Sequence, residues 1–177
     1  MSFLSRFRKS TSGLAAIEFA FILPVMVTMF LGVVEVSNYV MAARRVANVA
    51  ATAADLVAQD TLITNSEMTD IIGVMDVLIA PMNPSDASFV ITSVQQDTNG
   101  VNRVMWSEAR NGTARIANSI VSTADLPVGL LSPFQGVVMT EITFGYEPMF
   151  ASFLSRPEIK DKFYLKPRRS LWVQRGP

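Results

Sequence analysis

The chain has neither cysteine nor histidine among its 177 residues. Without thiols it forms no disulfide and offers no thiolate nucleophile. Without imidazole it lacks the usual general base near neutral pH, and zinc sites of the Cys/His kind go with both. Charge is also scarce, at 17% of residues with a formal net charge of zero. Arg6, Arg8 and Lys9 stand near the amino end, so beyond Gly13 only 12 of the 15 basic side chains remain, against 15 acidic ones. A mildly acidic body has no stripe of cations to neutralise successive phosphates, which argues against nucleic acid as a partner. Helix breakers are sparse too: between Leu14 and Gln59 the only ones are Pro24 and Gly32.

What fills that interval is apolar. Leu14 to Val34 is a run of 21 residues with Glu18 as its one charge, long enough as a helix to cross a hydrocarbon layer of about 30 Å. Its length exceeds the roughly 7 to 15 residues of a signal-peptide core, so the run reads as a membrane anchor despite small-residue sites at Ala50 to Ala54. A carboxylate near the bilayer centre costs about 2.5 to 3.5 kcal/mol on insertion scales. Glu18 therefore either meets a cationic partner or snorkels toward headgroups. Three cations precede the run and the next ones, Arg44 and Arg45, follow well after it, which places the amino terminus in the cytoplasm and everything after residue 40 outside. Pro24 removes one backbone hydrogen bond and is expected to kink the helix. Glu35 and Tyr39 are expected at the outer headgroups, Tyr39 as an aromatic anchor.

The helical pattern continues past the membrane, with Ala43, Ala47, Ala50, Ala54 and Ala58 at spacings of three and four. The expectation is one helix from Leu14 to Gln59, its outer half burying the alanine stripe against a sheet or second helix. A second helix is expected from a cap at Asn65 or Ser66, with Ile71, Ile72, Met75, Leu78 and Ile79 recurring at helical intervals, ending at Pro81. ASFVITSVQQD and VNRVMWSEA around Asn99 and Gly100 read as a hairpin, and GVVMTEITFGYEPMF is the clearest strand. Between them, one or two helical turns are expected around Ala114 to Val121. FYLKPRRSLWVQR reads as a last strand entered through Pro167. The class is α+β: a long helix, a second helix, then a small antiparallel sheet.

Other candidate sites are weaker. Nothing in the spacing of Asp70, Asp76, Glu141 and Glu147 forces them together, so no catalytic residue, metal site or cofactor is assigned. Trp106, Phe144, Tyr146 and Trp172 are expected to pack in the core rather than form a binding platform. Lys166, Arg168, Arg169 and Arg175 suit either an anionic surface or a charge-guarded edge strand.

The segment GLAAIEFAFILPVM, with Gly13 before the apolar run, Glu18 five positions on, Phe19 beside it and Pro24 beyond, resembles the processing site and spine of a type IV-like prepilin. More narrowly, it is similar to the TadE-like pseudopilins of the tight-adherence (Flp) pilus system, as are VNRVMWSEARNG, VVMTEITFGYEPMF and the KPRRS segment. The resemblance implies a leader over residues 1–13, a transmembrane helix over 14–40 and a periplasmic α+β domain over 41–177, pilin-like as a whole and not an enzyme. It implies a membrane prepilin peptidase cutting between Gly13 and Leu14, and Glu18 meeting the freed α-amine of a neighbouring subunit. The implied partners are that peptidase, other pilins and pseudopilins, an inner-membrane assembly platform and membrane lipid; the implied location is the inner membrane, with incorporation in a pilus open. An uncleaved single-span protein with a periplasmic binding domain is the alternative.

Overall fold

With few helix breakers to interrupt it, α1 runs unbroken over Leu14–Ala58, 45 residues, or about 68 Å at 1.5 Å per residue. The computed structural model describes residues 13–150 and 156–177, so Arg6, Arg8, Lys9 and the rest of the leader before Gly13 lie outside the described residues. The two halves of α1 live in different surroundings. From Leu14 to Phe30 every side chain is exposed, whereas Ala42, Val46, Val49, Ala50, Ala53, Ala54, Val57 and Ala58 are buried. This corrects the expected stripe: Ala50, Ala54 and Ala58 are on the packed face, but Ala43 and Ala47 are only half-buried at its margin. Three valines took the inward positions because valine removes more apolar surface from water than alanine.

After α1 comes β1 (Leu62–Ile63), then α2 (Asn65–Ile79). Its cap is Thr64 rather than Asn65 or Ser66. The Thr64 side chain accepts from the Glu67 amide while Glu67 accepts from the Thr64 amide at 2.8 Å, and this reciprocal pairing satisfies two groups at once. Met68, Ile71, Met75 and Ile79 face inward. At the other end, the Arg45 guanidinium of α1 donates to the carbonyls of Leu78 and Ala80, binding the two helices where α2 leaves carbonyls unpaired.

A short turn at Pro84–Asp86 leads into β2 (Ala87–Gln96), which pairs antiparallel with β3 (Asn102–Arg110) and with β4 (Gly136–Gly145); β5 (Glu158–Leu165) completes a sheet of order β3-β2-β4-β5. β5 ends at Leu165, before Pro167, where a strand was expected to begin, since proline has no amide to donate to a ladder. The chain then returns to pair β6 (Gln174–Arg175) in parallel with β1.

One sheet face packs Phe89, Ile91, Trp106, Val138, Ile142 and Phe144 against α1 and α2. The other face carries a smaller cluster, Val94, Val104, Val121, Leu126, Leu131 and Val137, roofed by the chain between β3 and β4. That roof contains no helical turn. Asn118 has φ 64°, a left-handed conformation no helix accommodates, and Ser119, Asn118 and Val121 instead bond the backbone of Val104 and Asn102.

Candidate functional site

The residues singled out at the amino end lie together on the uncovered part of α1. Gly13 is the helix cap, with φ −85° and ψ −15°, a conformation any residue adopts. A Cβ added there would meet nothing within 4 Å among the described residues. The fold itself therefore does not require glycine at position 13. Leu14, Glu18, Phe19 and Pro24 are all exposed. Leu14 and Glu18 are one helical turn apart on the same face. The helix passes through Pro24 without a break, and Thr28 Oγ1 donates to the Pro24 carbonyl at 2.8 Å, as Ser37 Oγ does to Val33 at 2.8 Å. Both hydroxyls are satisfied within the helix, as an apolar surrounding demands.

The structure adds a junction that the sequence did not reveal. Glu35, just past the apolar run, accepts three hydrogen bonds from the far end of β4 and the turn after it: from the Tyr146 hydroxyl at 2.7 Å and from the backbone amides of Met149 and Phe150 at 3.0 Å each. Tyr39, one turn along, meets the Tyr146 ring edge to face. Tyr146 is buried; that burial, with the Glu35 carboxylate opposite its hydroxyl, pushes the phenol up to about 12. One carboxylate thus fixes the head on its helix at the level where the apolar run ends. The only sequence signal was that Glu35 closes the run; its partners are 111 to 115 residues away.

The other candidates are dispersed, each with a local structural task. Asp76 pairs with Arg110, Glu147 with Arg156, and Glu141 with Arg115 and Lys162, while Asp70 is exposed. Trp106, Phe144 and Tyr146 are buried as expected and Trp172 is half-buried; Trp106 Nε1 donates to the Val173 carbonyl at 2.8 Å. In the basic run, Arg168 pairs with Asp55, Lys166 bonds Gln135, and Arg175 bonds the Ile63 carbonyl, Asn65 and Glu108.

A helix bare and apolar over its first half, and packed over its second against an α+β head, defines an α+β architecture whose one apolar span among the described residues is compatible with a single pass through a membrane. The family comparison is more particular. Residues 13–55 match the family model described as TadE-like protein. The match begins at Gly13 and ends within α1, so it covers the span and spine but not the sheet. No curated protein matches the chain, and no solved structure does.

Proposed function

We propose that this chain is a minor pilin or pseudopilin of a tight-adherence (Flp) pilus system, made as a precursor, cut between Gly13 and Leu14 by a membrane prepilin peptidase, and used in assembling a pilus for surface attachment. The observation that carries the reading is the TadE-like match starting at Gly13, at a position where the fold makes no demand for glycine. A residue without a side chain suits an extended backbone lying in a protease cleft. The segment 14–40 spans the inner membrane with the amino terminus cytoplasmic, and the rest, through residue 177, lies in the periplasm.

Cleavage would free the Leu14 α-amine one turn from Glu18. Within its own chain Glu18 lies on bare helix, so its counter-charge in this reading is the amine of a neighbouring subunit. Pairing the two in a low-dielectric bundle sets the register of packing. Removing one partner leaves an uncompensated buried charge, at a cost of about 3 to 5 kcal/mol.

The test is Gly13→Leu, expressed in cells that carry the pilus system. Wild-type protein extracted from membranes is expected to begin at Leu14 by mass spectrometry, and the variant to retain the leader over residues 1–13. Because Gly13 bears no packing load, the variant's head should melt as wild type does. Retention of the leader by wild-type protein would favour the uncleaved single-span alternative, and a mature variant would move the cleavage site elsewhere.

A further inference from the structure

Counting from Leu14, Glu35 lies about 32 Å along the helix axis at 1.5 Å per residue, against a hydrocarbon thickness of about 30 Å. If Leu14 sits at the inner boundary, Glu35 sits at the outer one. The turn after β4 is held at that depth, because the Met149 and Phe150 amides both bond the Glu35 carboxylate. Pro148 is tucked into the head, but Met149 and Phe150 are left bare, at 68% and 45% exposure. The packed stripe of α1 also continues downward: Leu31, Val34, Glu35 and Asn38 are half-buried, at helical spacing from Ala42, while Gly32, Val33, Val36 and Ser37 are exposed. The half-buried side of α1 thus continues about one turn below Glu35, on helix surface that is itself apolar.

We propose that Met149 and Phe150 form a membrane foot: the turn after β4 is seated in the outer boundary of the bilayer, a second point of lipid contact beside the span. The occupant is lipid because the bare pair is continuous with the span's own apolar surface and tied to its end. Glu147, two residues before Met149, pairs with Arg156 at 2.7 Å with both side chains exposed, a polar margin beside the bare pair at headgroup level. Interfacial segments bind by this combination of buried apolar side chains and a charged margin. With the span alone the whole molecule could tilt in the bilayer; with the foot the head has a fixed tilt against the membrane plane.

The inference rests on the single-span reading, and its test separates the two. The chain has no cysteine, so single substitutions give clean labelling sites. Met149→Cys, Phe150→Cys, Val25→Cys in the span and Val128→Cys, a bare head position at 86% exposure, each carry an environment-sensitive fluorophore. The full chain is placed in phosphatidylcholine–phosphatidylglycerol vesicles containing lipids spin-labelled near the headgroup end of the acyl chain or, for the label at 25, near its methyl end. Labels at 149 and 150 are expected to shift to the blue and to be quenched several-fold more than the label at 128. Quenching at 25 with water-like emission at 149 and 150 overturns the foot and leaves the span standing. A blue shift there without lipid quenching means a protein covers the turn, and also overturns it. No lipid quenching at 25 overturns the span reading. Phe150→Trp with brominated lipids is a second reporter should cysteine labels disturb the turn; the absence of added tryptophan quenching overturns the foot in the same way.

Discussion

The rings of Tyr39 and Tyr146 meet edge to face, their centroids 5.4 Å apart and their planes at 89°. With the Tyr146 hydroxyl on Glu35, this contact joins the membrane-proximal turn of the long helix to the far end of β4. It makes the head and the span a mechanical unit rather than two bodies on a stalk.

The first prediction follows from that phenol. Burial and the Glu35 carboxylate both disfavour the phenolate, holding Tyr146 near 12, against an ordinary tyrosine near 10. Glu35→Gln removes the charge but keeps the shape, so Tyr146 should titrate at lower pH yet stay above the ordinary value, because burial is the larger cause. Since its folded value is raised, Tyr146 contributes stability that is full below about pH 10 and fades as pH rises toward about 12. Ring-carbon NMR titration of the phenols reads the shift; an unmoved Tyr146 in the variant would remove Glu35 from the account.

The packed stripe of α1 gives the second. Ala50, Ala53 and Ala54 have no exposed surface, so the sheet and α2 approach the helix backbone closely there. Ala50→Leu or Ala54→Leu should destabilise the head by about 1 to 3 kcal/mol through overpacking. Ala43→Leu and Ala47→Leu, at the half-buried margin, should cost less than about 1 kcal/mol. Chemical denaturation of the full chain in detergent measures both; equal costs at all four would mean the helix faces the sheet differently.

Acid sensitivity should come from the far face of the sheet. Burial raises Glu141, but Arg115 and Lys162 outweigh it and hold its carboxyl below the usual range. Lys162 foremost, then Arg115, holds Asp125 below its own despite some burial. Depressed folded values mean a contribution present above the ordinary carboxylate range, about pH 4, and lost as pH falls through the lowered values. Lys162→Met should flatten the loss of melting temperature between about pH 5 and pH 3. An unchanged acid profile would show the cluster to be incidental.

Glycines at positions 13 and 136 should behave oppositely. A Cβ at Gly136 would lie 2.6 Å from the Trp172 Cβ and 3.0 Å from Trp172 backbone, where the Gly136 amide bonds the Leu171 carbonyl at 2.7 Å. Gly136→Ala should cost about 1 to 3 kcal/mol and loosen the carboxyl-terminal segment toward proteolysis, while Gly13→Ala should leave the melting temperature unchanged.

Much of this molecule was written locally. A stretch of 45 residues with two helix breakers, its first 21 carrying one charge, can only be a long helix, and the two-residue alternation of Val138, Ile142 and Phe144 against Val137, Met139 and Glu141 is enough to assign β4 its faces. The proposed processing segment is legible for the same reason, since the roles proposed for Gly13, Leu14, Glu18, Phe19 and Pro24 rest on chain order and helical spacing. Register across long separations was not legible. Which residues of α1 face the sheet, why Pro167 ends a strand instead of opening one, the parallel pairing of β1 with β6, and the grip of Glu35 on Tyr146, Met149 and Phe150 all depend on groups brought together from opposite ends of the chain. Sequence spacing fixes a residue's face within its own element; only packing decides what that face meets.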